Sequence, residues 1–272
     1  MSKVALVTGA SRGIGRATAL AFAQAGYSVA VTARELDNTE VPKYKITSTS
    51  YAQGSLQETV KKIENQGGKA LPIKMDLLSR DSVESAINQV LARFGKIDVV
   101  INNAIYQGPD LNVSLVDLTP QTLENVARAY ISAPVQIAQA LIPLMIKQGN
   151  GCIINITSGA GEKDPPIPAA QGGWGYAYGA GKAAVSRLSG IISREHGSEG
   201  IRAFTVNPGV VNTETLRATI GEQGVKGLGQ SLVEPEQIAQ VLLWIADHGE
   251  ADKLQYRTID AQRLAHNLTQ LT

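Results

Sequence analysis

Short apolar runs recur along the chain, and each is followed by residues whose apolar positions repeat at helical spacing. Val4-Ala5-Leu6-Val7 comes first, with an alanine-rich helical stretch through Ala25 behind it. Ser28 to Ala33 is the second run. A helix carrying Leu56, Val60 and Ile63 follows, then a strand over Ala70 to Lys74. The next helix is opened by Asp81 with Glu84 three residues on, the spacing of a capping box. Val99-Val100-Ile101 leads to a long helix started by Thr119-Pro120, and Cys152 to Thr157 to a helix with Val185, Leu188, Ile191 and Ile192 on one face. Ile201 to Asn207 reads as another strand. Strands that alternate with helices and lack hairpin signals require crossover connections. The pattern predicts an α/β fold, a doubly wound parallel sheet with helices on both faces, built by residues 1–272 as a single domain.

Ligands on such a sheet bind beyond the carboxyl ends of its strands. Asp76, Asn102 to Ala104, Ser158 and Pro208-Gly209 all follow predicted strand ends, so one crevice collects them. The first strand runs into Thr8-Gly9-Ala10-Ser11-Arg12-Gly13-Ile14-Gly15 and then into a helix. Glycines there let the backbone turn tightly against a pyrophosphate, and the helix N-terminus offers free N–H groups. The segment reads as nucleotide-binding. Arg34 ends the second strand, where a dinucleotide fold reads the adenosine ribose, and an arginine suits a 2′-phosphate. Arg34, with Arg12, points to NADP over NAD. Glu35 and Asp37 are carboxylates that could instead reach a ribose hydroxyl.

Tyr178 and Lys182 stand four residues apart, on one face if that stretch is helical. A free phenol keeps its proton to pH ~10 unless a positive charge favours the phenolate. Lys182 is placed to supply that charge, although Gly179 and Gly181 speak against a helix beginning here.

Two stretches interrupt the alternation. Residues 37–54 carry Pro42, Lys43, Lys45 and Thr47-Ser48-Thr49-Ser50, a loop insertion that is either a basic flap over the adenosine end or a surface excursion. Residues 212–232 are glycine-rich with Leu216, Ile220 and Leu228, and read as a substrate lid with an apolar inner side suited to an apolar ketone or secondary alcohol.

Composition narrows the function classes. With 272 residues, 43% apolar, and a formal net charge of +1, the chain can bury one large core and has no footprint for nucleic acid or an anionic membrane. Cys152 is the only cysteine, which excludes an intrachain disulfide. No apolar run nears the ~20 residues of a membrane span, so the chain reads as cytoplasmic with small-molecule partners.

In these motifs the chain resembles the single-domain short-chain dehydrogenases/reductases. The matching stretches are Thr8 to Gly15, Asn102-Asn103-Ala104, Ser158, Tyr178 with Lys182, and Asn207-Pro208-Gly209 with Thr213. The resemblance implies a Rossmann-like fold and hydride transfer between NADP and a carbonyl or alcohol. It implies that Tyr178 exchanges a proton with the substrate oxygen, that Ser158 holds that oxygen, and that Lys182 binds the nicotinamide ribose and makes Tyr178 more acidic. Gly9, Ser11, Arg12, Gly13, Ile14 and Gly15 would cradle the cofactor, with Arg34 at its 2′-phosphate. Asp76 and Leu77 would meet adenine, and Asn103 and Ala104 would line the adenosine side. Pro208, Gly209, Val211 and Thr213 would hold the nicotinamide amide. No metal is implied. Similar proteins pair through the helix holding Val135, Ile137, Leu141 and Leu144 and the helix of Tyr178, which implies a homodimer or homotetramer.

The chain departs from that pattern at several points. Ile105 stands where glycine is usual, and several extra residues, among them Lys163-Asp164-Pro165-Pro166 and Trp174, separate Ser158 from Tyr178. Tyr256 to Asp260 replaces an Asp-Gly-Gly ending. Tyr130 occupies the place of an asparagine that opens the helix and holds a water linking the lysine to solvent. These departures keep a second class in view, a dinucleotide-binding regulatory or scaffold protein without the chemistry.

Overall fold

The computed structural model describes residues 2–37, 54–228 and 232–269. The expected flap or insertion at 37–54 therefore falls almost wholly outside the described residues, as do residues 229–231 of the lid and the side chains of Ile220 and Leu228.

Strand and helix alternate as the pattern predicts. The order is β1 Val4–Thr8, α1 Gly13–Gln24, β2 Ser28–Ala33, α2 Leu56–Asn65, β3 Lys69–Lys74, α3 Arg80–Phe94 and β4 Val99–Asn102. There follow α4 Pro120–Val126, a π-helical turn Ala127–Ser132, α5 Ala133–Gln148, β5 Gly151–Ile156, α6 Tyr176–His196 and β6 Ile201–Asn207. The chain then forms β7 Val210–Val211, α7 Glu214–Leu228, β8 Leu232–Val233, α8 Pro235–Asp247, β9 Thr258–Asp260 and α9 Ala261–Thr269. Seven strands make one sheet in the order β3-β2-β1-β4-β5-β6-β9, and every pairing is parallel. The order reverses direction between β1 and β4, which opens a crevice at their carboxyl ends.

Both sheet faces are covered, which is why the strands read as unbroken apolar runs. Alternate residues of β1 serve opposite layers. Ala5 and Val7 pack with Phe22, Leu56, Ile63 and Leu242. Val4 and Leu6 pack with Ile87, Ile137, Leu141 and Ile153.

Several local expectations are corrected. Helix α3 is capped by Ser79, whose hydroxyl accepts the Ser82 N–H at 3.2 Å, so Asp81 lies inside the first turn and is not the cap. Helix α6 starts before Tyr178 despite Gly179 and Gly181, because tertiary packing outweighs their propensity cost of about 1 kcal/mol each. Ile191 is 52% exposed and does not share the buried face of Val185 and Ile192. The run Pro120–Gln148 is long and apolar enough to cross a bilayer, yet half of its most apolar stretch is buried, as in a core helix.

Candidate active site

The turn between β1 and α1 depends on bare backbone. Gly9 and Gly13 adopt φ of +70° and +52°, where side chains are strained. A Cβ on Gly13 would stand 3.0 Å from Thr213 Cγ2, and one on Gly15 would overlap the Gly9 carbonyl. The ends of β1 and β4 are laced together above this turn. Thr8 Oγ1 accepts the N–H groups of Asn103 and Ala104 at 3.0 and 2.9 Å, and Asn103 Nδ2 donates to the Thr8 carbonyl at 2.9 Å. The amide of Asn103 is thus spent on holding the turn. Glu214, from the start of α7, meets the same place: its Oε2 accepts the Gly13 N–H at 2.9 Å and its Oε1 pairs with Arg16.

A cleft of about 970 Å³ lies along the carboxyl edge of the sheet. From the turn, Gly9, Ser11, Arg12, Gly13 and Ile14 line it. Arg34, Asp76, Leu77, Asn103 and Ala104 line the wall that follows, and Pro208, Gly209, Val211 and Thr213 the opposite one, with Tyr178 and Lys182 between. Of the expected residues, Gly15 and Ser158 do not form the cleft wall. Gly15 passes behind Gly9, and Ser158 stands within hydrogen-bonding reach of Tyr178, whose pKa it lowers. Burial and then the neighbouring Arg34 lower the pKa of Arg12, against Glu214 and Glu35, which raise it. Two guanidinium groups thus share one end of the cleft. Beside them the Thr32 hydroxyl is buried and has no hydrogen-bond partner among the described residues. A cradle that any Cβ would fill, an orphaned hydroxyl and paired cations fit a dinucleotide.

Tyr178 sits in the first turn of α6 and lines the cleft. Lys182, one turn on, is buried, and its Nζ donates to the Ile156 carbonyl at 2.8 Å. Burial lowers its pKa to about 7. Burial also raises the pKa of Tyr178, and the hydrogen bond with Ser158 offsets part of that rise. In the chain by itself the desolvation of the phenol therefore outweighs any help from Lys182, whose Nζ lies 6.0 Å from the ring centroid.

Behind Lys182 a polar ladder joins α6 to the sheet. Asn102 Nδ2 donates to Asn155 Oδ1 at 2.8 Å, Asn155 Nδ2 to Ser189 Oγ at 2.9 Å, and Thr205 Oγ1 to Ser189 Oγ at 2.9 Å. Thr157 and Ser186 share a hydrogen bond at 2.7 Å, and whichever hydroxyl accepts there is free to donate to the Lys182 carbonyl, at 3.1 Å from Thr157 or 3.0 Å from Ser186.

Tyr130 lies in the π-helical turn, so the helix opens here although the residue is not asparagine. Its hydroxyl donates to the Tyr106 carbonyl at 3.1 Å and does not bridge to Lys182. Its ring centroid lies 5.7 Å from Lys182 Nζ.

The sequence pattern missed the loop after β4, where Tyr106, Gln107, Leu111 and Asn112 reach the cleft, and it missed Glu214. The loop's position past a strand end is the one signal that could have marked it. Among the described residues no group of three or more His, Cys, Asp or Glu could hold a metal ion.

The model of the short chain dehydrogenase family matches residues 3–47 and 42–223. The chain belongs to the short-chain dehydrogenase/reductase family. It is an NAD(P)-dependent enzyme of that family. It is 31% identical over 248 residues to 3-oxoacyl-(acyl-carrier-protein) reductase FabG of Thermotoga maritima, covering 90% of each chain. It is 33% identical over 217 residues to a short chain dehydrogenase of Pseudocercospora fijiensis, covering 78% of this chain and spanning only 60% of that relative. Among solved family members, a short chain dehydrogenase of Mycobacterium paratuberculosis bound to NAD superposes with a TM-score of 0.76 at 26% identity, over 96% of this chain and 98% of the other. A metagenomic short-chain oxidoreductase in complex with NADP gives 0.71 at 29% identity, over 96% and 97%.

Proposed function

We propose that the protein is an NADP-dependent carbonyl reductase or secondary-alcohol dehydrogenase in which Tyr178 is the acid and base. The observation that carries this is the placement of Tyr178, with Ser158 on its hydroxyl and Lys182 one turn behind, on the same cleft as the glycine cradle. The cradle, with Pro208, Gly209, Val211 and Thr213 facing it, would hold the dinucleotide, and Arg34 with Arg12 would take a 2′-phosphate. When bound, the nicotinamide supplies or accepts a hydride. In the reducing direction Tyr178 gives its proton to the carbonyl oxygen as the carbon gains that hydride, so the product is the alcohol and a phenolate remains. Ser158 donates a hydrogen bond to the same oxygen, and the Lys182 ammonium stabilises the phenolate. Ile105, Leu111 and Leu216 give the outer cleft an apolar wall, which suits an apolar ketone or secondary alcohol. A cytoplasmic homodimer or homotetramer belongs to the same reading.

A non-catalytic scaffold draws no support from the relatives, which are named reductases and dehydrogenases. The test is NADPH consumption against a panel of ketones and aldehydes, with Tyr178→Phe as control. Turnover that Tyr178→Phe lowers by about 10²–10⁴-fold supports the assignment. Turnover that survives Tyr178→Phe intact refutes it.

A further inference from the structure

Tyr130 is 1% exposed, the largest side chain among the fully buried ones. Three elements enclose it. Helix α6 passes so close that a Cβ on Gly181 would stand 2.7 Å from Tyr130 Cδ1 and 2.9 Å from its Cγ. The loop after β4 takes its hydroxyl through the Tyr106 carbonyl, and Tyr106 in turn donates to Asp110 at 2.8 Å. Lys182 Nζ lies over the ring at 5.7 Å, near the ~6 Å limit of a cation–π contact. Around the ring, Tyr106, Leu111, Val126, Ala129, Ala177 and Val185 form one apolar cluster. A water needs two to four polar partners, and the side chains of that cluster are apolar except for the Tyr130 and Tyr106 hydroxyls, which already donate to the Tyr106 carbonyl and to Asp110.

We propose that Tyr130 is a positioning residue for Lys182: its ring, matched to the missing side chain of Gly181, seats the ammonium and seals the opened helix turn, so that protons lost from Tyr178 are replaced through the cleft. The proposal rests on Tyr178 and Lys182 being the acid–base pair. The π-helical turn remains open here, but an aromatic fills the opening, so the turn serves as a socket and not as a conduit. Gly181 and Tyr130 are then a matched pair, each permitted by the other. Through Tyr106 the seat is also tied to the loop that lines the outer cleft, which links substrate contact to the position of the lysine.

The groups that face Lys182 are Tyr178 from its own helix, Tyr130 from the opened turn, and the Ile156 carbonyl from β5. Burial is the cause of its lowered pKa, with no carboxylate contributing. Replacing the ring by a smaller amide admits water to Nζ. The gain in solvation then exceeds the loss of a cation–π contact at the edge of its range, and the lysine titrates at higher pH.

The test is a double-mutant cycle with Gly181→Ala, Tyr130→Asn and their combination, read by thermal stability and by the pH profile of kcat. Gly181→Ala alone should lower both, and its cost should fall by about tenfold or more in the Tyr130→Asn background. Tyr130→Asn should move the limb near pH 7 upward. Tyr130→Phe, which keeps the ring and loses the Tyr106 contact, should raise KM and leave that limb in place. Equal costs of Gly181→Ala in both backgrounds, or an unmoved limb in Tyr130→Asn, overturn the proposal. Should Tyr130→Asn not fold, Tyr130→Gln takes its place with the same expected sign. Should no carbonyl be turned over, the assigned activity fails on its own, and lysine-selective NMR of the cofactor-free protein still decides. An upward shift of the Lys182 titration in Tyr130→Asn upholds the seat, and a static one removes it.

Discussion

The carboxylate of Glu214 accepts the backbone N–H of Gly13 at 2.9 Å, so the first residue of α7 caps the first turn of α1. That N–H belongs to the helix terminus that would receive a pyrophosphate. Carboxylate and phosphate therefore compete for one positive helix end, and the Arg16 pair holds the carboxylate there. Glu214→Gln should tighten NADPH binding several-fold, since a charge at a helix terminus is worth about 0.3–1 kcal/mol. A fluorescence titration of NADPH reads this directly, and weaker binding in Glu214→Gln would show that the carboxylate assists the cofactor.

Arg34 should set the choice of cofactor. Charge-assisted hydrogen bonds contribute about 1.5–3 kcal/mol, so Arg34→Ala should cut the preference for NADPH over NADH by roughly tenfold to a hundredfold. Paired dissociation constants for the two cofactors measure it. Equal affinities in the unmutated protein would contradict the assignment, leaving Glu35, on the same cleft wall, as the ribose-reading group.

Asp247 ties the start of β1 to the end of α8, accepting from Lys3 at 2.7 Å and from the Tyr27 hydroxyl at 2.6 Å. Burial works to raise its pKa, yet the hydrogen bonds from Lys3 and Tyr27 prevail and the folded value is lowered. A lowered folded pKa gives stability that is present above the unfolded value of about 3.9 and lost as pH falls through the folded one. Asp247→Asn should therefore melt about 2 °C below the parent at pH 7 and no differently near pH 2. Melting curves across pH 2–7 check the sign.

Assembly should use the outer faces of α4, the π turn and α6. Ile137 and Leu141, read from sequence as part of a dimer contact, are buried in the protein's own core, whereas Leu123, Ile131 and Ile191 are 40%, 48% and 52% exposed. Light scattering at micromolar concentration should give a multiple of the monomer mass, and Ile131→Glu should reduce it.

The strands, the glycine turn and the Tyr178–Lys182 pair were legible because each is a local signal, a period or a spacing within a few residues. β9 was not, since its three residues give no alternation to read. Neither was the contact between Gly13 and Glu214, residues far apart in sequence that only the crossovers bring together. The glycines of α6 misled for the same reason. Propensity counts Gly181 as a cost, but the space it leaves is occupied by a ring from another helix. Asp81 was misread because Ser79, two residues earlier, offers a hydroxyl at the capping distance.

The polar ladder of Asn102, Asn155, Ser189, Thr205, Ser186 and Thr157 bears on alignment more than on strength. All six side chains are buried, and a net contribution of about 1 kcal/mol per hydrogen bond adds little beyond what apolar packing would give. Greasy surfaces tolerate a helix that slides by a residue or rotates by a fraction of a turn. Donors and acceptors do not, because each misplaced one is left unpaired at a cost of about 1–3 kcal/mol. The ladder thus works as an indexing pin between α6 and the sheet. It makes every other setting of that helix expensive, and so delivers a phenol and an ammonium to the same two points each time the chain folds.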